Sequence, residues 1–440
     1  MPSEQERLLT AEIAIMNKSA VALAADSAVS IPYGRGYKIY NTHKLFNLCQ
    51  SNPVGVMVYE NADLMSVPWE TIIKQYRKQL GNAAFSTLEE HGTNFISYLD
   101  NTPLLFPESV QDETALRTVA WHLSDLTDRI DKQIKAITLK AKASEAKIKR
   151  TYRETINGWH ETLKTRSSLP DTSGSLEKEV LTKYGAQFDK IIVEIFQSAP
   201  LTDNLKKALL SISVWLLTKD LSGLNLYQSY SGVVIAGFGE SDLYPAVSTY
   251  RVESVVLNQL RYLHLAGKSD RITADETSSI VPFAQDEMVA GFMEGIDPKF
   301  YERIFTEMSS ILTDVYPVEI VKKLPGLTKK RKEALLIELK KIGPDLIKVF
   351  NEMIKKHKRE KHVDPIVRAV SALPKEELAS MAEALVSLTS TKRRVTLDAE
   401  TVGGPIDVAV ISKGDGFIWI KRKHYFDADK NPQFFSRYQR

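Results

Sequence analysis

The sequence predicts an α/β (α+β) fold: two mainly antiparallel sheets face to face, helices packed outside them, and large helical insertions. Three observations carry this. Strand-type patterning is confined to three blocks near the beginning, middle and end of the 440-residue chain. Long stretches of helical periodicity separate the blocks. Each block alone would be a small fragment with open edges, a liability that one composite pair of sheets removes. Separate β and α domains are the alternative, and one interrupted domain is the preferred reading.

The first block runs from Thr10 to about Tyr59. It opens with "LLTAEIAIMNKSAVALAADS", where Ile13 and Ile15, then Val21 and Leu23, alternate with small or polar residues around a turn at Asn17, Lys18 and Ser19. A Gly/Pro loop "IPYGRGYK" is expected next, then strands in "HKLFNL" and "PVGVMVYE". Asp63–Leu80 reads as an amphipathic helix with Trp69, Ile72, Ile73 and Tyr76 on one stripe. From Gln111 to Thr165, Leu123, Leu126, Ile130, Ile134 and Ile137 keep spacings of three and four, which suits a helical hairpin or short coiled coil. "SSLPDTSGS" breaks it, and helices resume in "FDKIIVEIF" and "LKKALLSISVWLLTKDL". Tyr230–Val256 is the second strand block, and Gln285 to about Lys361 is helical again. "LPKEELASMAEALVSL" starts a helix, with Pro374 followed by acidic residues in the first turn. The last block, Pro405–Arg422, is a hairpin turning at Gly414-Asp415-Gly416.

Composition narrows the function classes. Hydrophobic content of 43% and charged content of 26% are those of a globular protein, and a net charge of +3 gives no global reason for a polyanionic partner. Cys49 is the only cysteine, so neither an intrachain disulfide framework nor a Cys-based zinc site is available, which fits a cytoplasmic location. "MPSEQERLL" is unlike a signal peptide, and no apolar run reaches the roughly 18 residues of a membrane span. No G-x-x-x-x-G-K-[ST] or H-E-x-x-H spacing occurs; no cofactor or metal is expected, and an ATPase would be a separate partner. Residues 131–168 hold ten Lys/Arg against four Asp/Glu, and "KKLPGLTKKRKEALLIELKKIG" resembles a helix-hairpin-helix element with Thr328 where a second glycine is expected. Solvated basic helices are the plainer reading of both, so nucleic acid is not an expected partner. His43 reads as a strand-edge residue, and the aromatic tail "YFDADKNPQFFSRYQR" could dock on another subunit or on its own chain.

Thr10, Asp26 and Lys44 could form a catalytic group. A threonine hydroxyl needs a base, and an amino-terminal threonine supplies its own α-amine. A lysine nearby stabilises the developing alkoxide and keeps the amine neutral, and a buried lysine needs a carboxylate such as Asp26. The same residues also fit a plainer picture, in which Thr10 only starts a strand and Asp26–Lys44 is a structural ion pair.

These stretches resemble proteasome β-subunits and their bacterial relatives, the amino-terminal-nucleophile hydrolases. A threonine opens the first strand and "AAD" closes the second, with Asp26 sixteen residues after Thr10. "NTHKLFNL" places Lys44 near the family lysine, and Ala62-Asp63 in "VMVYENADLM" resembles the start of the family's first helix. "VVIAGFGESDLYPAV" and "LDAETVGGPIDVAVISKGDGF" resemble later strands, the second carrying supporting roles onto Asp398 and Thr401. The resemblance implies a four-layer αββα sandwich. Residues 1–9 would be a propeptide, 10–80, 226–294 and 371–440 the core, and 81–225 (with one core helix) and 295–370 helical insertions. It implies a threonine-type peptidase with Thr10 as nucleophile, acting on peptide or protein substrates in a homo-oligomer or hetero-complex; a non-catalytic scaffold of the same fold is the alternative. Four positions depart from the family pattern: Leu9 precedes Thr10 where self-cleaving relatives have glycine, Ala28 replaces an arginine, Tyr59 or Glu60 stands at the oxyanion glycine, and Phe238 replaces the serine of G-S-G.

Overall fold

The computed structural model describes residues 11–33, 36–102, 104–140, 144–169, 172, 174–224, 226, 229–284, 287–395, 404–424 and 426–433. The strands of the first block are β1 (Ala11–Asn17), β2 (Val21–Ala25), β3 (Ala28–Tyr33), β4 (Gly36–Asn41), β5 (Leu45–Asn47) and β6 (Val54–Glu60), followed by the two-residue strands β7 (Asp63–Leu64) and β8 (Val67–Pro68). The middle block supplies β9 (Ser231–Gly237), β10 (Ala246–Val256), β11 (Gln259–His264), β12 (Asp270–Arg271) and β13 (Ser278–Ala284), and the last β14 (Asp407–Ser412) and β15 (Gly416–Lys421). Sheet one has the order β13-β1-β2-β14-β15 and sheet two the order β11-β10-β9-β6-β5, with β12 added beside β10; all these pairings are antiparallel.

Period-two alternation decides which way each strand faces. In β1, Ala14 and Met16 point between the sheets, with Leu23 of β2, Met57 of β6, Val234 and Ala236 of β9 and Ile411 of β14. Ile13 and Ile15 point outward onto Leu378, Ala382 and Leu385 of the helix Lys375–Val395. In β6, Val54, Val56 and Val58 face outward onto α1 (Trp69–Leu80) and α2 (Leu88–Asp100). The result is four layers, helix–sheet–sheet–helix, the architecture expected from the sequence. The sheets approach so closely at Gly55 that a Cβ there would lie 2.7 Å from Ile411 and 2.8 Å from Phe417.

The remaining helices form two groups. The first is α3 (Glu108–Lys140), α4 (Glu145–Lys164), α5 (Leu176–Ile195) and α6 (Asp203–Thr218), which share their own core of Leu123, Leu126, Ile130, Ile156, Phe188 and Ile212, joined by Val256 of the sheet. The 111–165 stretch is thus a helical hairpin. The second group is α7 (Glu287–Glu294), α8 (Pro298–Ser310), α9 (Tyr316–Lys323), α10 (Lys329–Lys358) and α11 (Asp364–Ser371), which leads into α12 (Lys375–Val395). Tyr301 donates to Asn351 at 2.7 Å, and the Phe305 and Phe350 rings lie 5.7 Å apart, so α8 and α10 pack side by side. The helix-hairpin-helix-like stretch is α9, a turn and α10, with Thr328 capping the amide of Arg331. No helix among the described residues is long and apolar enough to cross a membrane.

Three local expectations are corrected. Within "IPYGRGYK", 31–33 and 36–38 are strand rather than loop: β3 pairs with β4, with Pro32 opposite Tyr37. Proline is tolerated because this ribbon has only two strands and each keeps an outer edge. The first helix starts at Trp69, not Asp63, because Met65 and Ser66 turn left-handed (φ 51° and 69°) between β7 and β8. Strands β11, β12 and β13 were not expected; β13 contains Pro282 and pairs with β1, whose sequence position is some 265 residues away.

Candidate active site

The head of β1 and the end of β2 lie side by side: the Asp26 amide donates to Ala11 O at 3.1 Å, and the Ala11 amide donates to Asp26 Oδ1 at 3.3 Å. Lys44, just before β5, belongs to the other sheet, where its carbonyl accepts from the Val58 amide at 2.8 Å. Its side chain crosses between the sheets. Nζ donates to Asp26 Oδ1 at 2.5 Å and to Glu12 Oε1 at 3.0 Å. All three residues are buried, with Lys44 4%, Glu12 2% and Asp26 0% exposed. Burial alone would lower the Lys44 pKa, but Asp26 and then Glu12 outweigh it, so the ammonium is held above its ordinary value. The structure thus brings the predicted pair Asp26 and Lys44 together. Thr10, Asp398 and Thr401 lie outside the described residues.

Sequence reasoning missed three members of this neighbourhood. Glu12 is the first. It is the one charge in the apolar run "AEIAIM", and its even position puts it on the inner face with Ala14 and Met16. Asp407 and Lys423 are the others: Lys423 Nζ lies 2.5 Å from Asp407 Oδ2, and its amide donates to Oδ1 at 2.7 Å. Burial raises the Asp407 carboxyl, but nearby His43 and the Lys423 ammonium and amide pull it below the usual carboxylate range. Burial lowers the Lys423 pKa, and the Lys44 and Asp26 charges are both felt there. His43, with Nδ1 3.9 Å from Asp407 Oδ2, stands at the edge of a charged cluster.

Neither a protein-family model nor a curated protein matches the sequence. Two of the solved structures to which the chain is similar are Anbu chains. One is described as Anbu (ancestral beta-subunit) from Yersinia bercovieri, at 10% identity and a TM-score of 0.26, covering 98% of this chain and 97% of that one. The other is an Anbu (Gly-1) mutant from Hyphomicrobium sp. strain MC1, also at 10% identity and a TM-score of 0.26, covering 98% of this chain and 100% of that one. Values this low leave the chemistry to be read from the site itself.

Two of the departing positions acquire geometry. Glu60 ends β6 with φ 66°, a left-handed conformation that favours glycine. It is the residue after Tyr59, whose buried phenol is pushed up first by desolvation, then by Tyr230, Glu60 and Glu12. Phe238 is not part of this neighbourhood. It follows β9 at the Val54 end of sheet two, whereas Lys44 and Glu60 stand at the Ser231 end. Its ring is buried between the sheets, and its amide donates to Pro53 O.

Proposed function

We propose that this chain is a threonine-type amino-terminal-nucleophile hydrolase of the proteasome β-subunit kind, which cuts peptide (amide) bonds with Thr10 once residues 1–9 are removed. The observation that carries this reading is the buried Lys44 ammonium, fixed by Asp26 and Glu12 beside the backbone of Ala11, the residue after Thr10. Burying three ionisable groups costs several kcal/mol unless they are paired, and here Lys44 is paired with both carboxylates.

In this mechanism the Thr10 hydroxyl attacks the substrate carbonyl, and its freed α-amine takes the proton through a water. The Lys44 charge stabilises the alkoxide and keeps the amine neutral. Asp26 holds Lys44 in place and Glu12 is a second anchor for it. Asp398 and Thr401 support the amine end. The backbone N–H at Tyr59 or Glu60 faces the developing oxyanion, where the Glu60 carboxylate opposes that charge. Residues 10–80, 226–294 and 371–440 form the catalytic core, and the helices of 81–225 and 295–370 are insertions around it. The enzyme works in the cytoplasm, in a homo-oligomer or hetero-complex, and any ATPase is a separate partner.

A non-catalytic scaffold of the same fold is the second reading. It is favoured by half-exposed apolar residues on α8 and α10, among them Phe300, Leu346, Val349 and Met353, which suit a partner surface. One experiment separates the two. The chain is expressed to begin at Thr10, with the initiator methionine removed, then assayed on peptides and treated with a threonine-reactive inhibitor. Turnover and an adduct on Thr10, both abolished in Thr10→Ala, support the hydrolase. No turnover and no adduct, in the wild type and in Glu60→Gly alike, leave the scaffold.

A further inference from the structure

A second cluster of buried charge lies on β10 and β11, where Arg251 shares the Tyr59 face of the sheet through Gly232, α3 packs against β10, and Leu216 of α6 accepts from Arg261 of β11. A cavity of about 280 Å³ opens there, walled by Arg261 and Glu253 of the sheet, His122 and Arg117 of α3, and the loop through Asp63 and Ser66. Arg261 is 3% exposed; its Nη2 pairs with Glu253 Oε2 at 2.7 Å and donates to Leu216 O at 3.1 Å, while its Nε has no partner. Arg251, stacked on the Tyr230 ring, stands behind the same carboxylate: its Nε lies 3.1 Å from Glu253 Oε1 but is not aligned for a hydrogen bond, and its Nη2 has none. Among the described residues, the ion pairs of both arginines therefore end on one carboxylate. His122, 4% exposed, lines the same cavity with Nδ1 unpartnered. Burial, with Arg261 and Arg129 adding to it, lowers its pKa to about 4, so it is neutral and offers no counter-charge.

A buried guanidinium without its full complement of acceptors is costly, and an incoming anion removes that cost. Asp63 also lines the cavity, but its Oδ1 accepts from the Ser66 amide in an exposed turn at the mouth. Ser254 and Thr118 add hydroxyl donors to the wall.

We propose that this cavity binds a small molecule through a carboxylate or phosphate group, with Arg261 as the principal ligand inside and Arg117 at the rim. The planar fork of arginine suits either oxyanion. The proposal does not depend on the chemistry of Thr10, and its test reads binding rather than hydrolysis.

Trp121 lines the cavity and supplies the signal. The full-length chain is titrated with inorganic phosphate in one arm and succinate in the other, following tryptophan fluorescence, with Trp121→Phe to assign the change and succinamide as the uncharged control. One saturable site is expected. Saturation by phosphate alone assigns a phosphate ligand, and saturation by succinate alone a carboxylate ligand. Arg261→Met leaves Glu253 paired with Arg251, so that neither charge is stranded, and is expected to weaken binding about tenfold or more. Arg117→Gln is expected to weaken it about threefold, and decides the matter if the Arg261 variant does not fold. No saturable response to either anion, a response equally given by succinamide, or unchanged affinity in the variants overturns the proposal.

Discussion

Lys44 is the residue on which both stability and the proposed chemistry turn. Its folded pKa is raised, so the stability it contributes is complete below the unfolded value of 10.5 and is lost only as pH climbs through the folded value. Lys44→Met leaves Asp26 and Glu12 as buried carboxylates without their lysine, and is expected to cost about 3–5 kcal/mol in urea unfolding. Adding Asp26→Asn and Glu12→Gln is expected to restore much of that loss, while activity stays absent. Glu60 behaves differently. Its φ of 66° already has the geometry of a glycine, so Glu60→Gly relieves backbone strain and is expected to change stability by no more than about 1 kcal/mol. Turnover is expected to rise in the same variant, because a carboxylate leaves the proposed oxyanion position. A Glu60→Val variant, β-branched and ill suited to that backbone, is the control and is expected to destabilise. The buried histidines set the acid side. Burial lowers both His91 and His122 to about 4. Below pH 6.5 the unfolded chain binds protons that the folded chain does not, so stability is full above pH 6.5 and falls progressively toward pH 4. The midpoint of urea unfolding measured across that range is expected to drop, and His122→Gln is expected to flatten part of the slope.

At the level of elements, close approaches matter more than propensities. β9 packs under the Tyr59 ring, and a Cβ on Gly232 would lie 1.9 Å from it. Gly232→Ala is therefore expected to destabilise by about 2 kcal/mol or more, and Tyr59→Leu in the same chain to recover part of it, as read by thermal unfolding of the single and double variants. α2 is fixed at its start by a capping box, in which Thr87 accepts from the Glu90 amide and the Glu90 side chain accepts from the Thr87 amide. The Leu88 amide in its first turn reaches Asp242 Oδ2 at 2.7 Å, which ties the helix to the loop after β9. Helical periodicity made α1 and the α3–α4 hairpin legible, because every buried side chain on them answers to one repeating face. The strand ribbon β3–β4 was not legible, because Pro32 and the glycines beside it carry the same local signal in a loop and in an isolated hairpin.

For the whole molecule, the two sheets meet with Lys44 bridging them, and two groups of helices extend beyond the four layers. Proposed assembly and proposed processing are properties of this scale. Intact mass of the purified protein is expected to show loss of residues 1–9, and light scattering a multimer; a monomer at high concentration with an uncut amino terminus would weigh for the scaffold reading. The half-exposed apolar positions of α8 and α10 are far from Lys44 in sequence and lie on helices whereas Lys44 belongs to a sheet, so replacing Val349 and Met353 by lysine is expected to leave any turnover unchanged.

The sequence by itself determined the alternation of the strands, the hairpins at the two ends and the helical hairpin of 111–165. Each of these is written in a short period or in residues at neighbouring strand ends. The tertiary structure alone decided that β13 pairs beside β1, that Lys44 reaches Asp26 and Glu12 across the sheets, that Asp407 and Lys423 adjoin them, and that Arg261 and His122 line one cavity. Those are contacts between segments as much as some 400 residues apart. A local pattern reports which face of a strand or helix is apolar. Which charge is buried, and what it finds there, depends on the distant segment that comes to cover it.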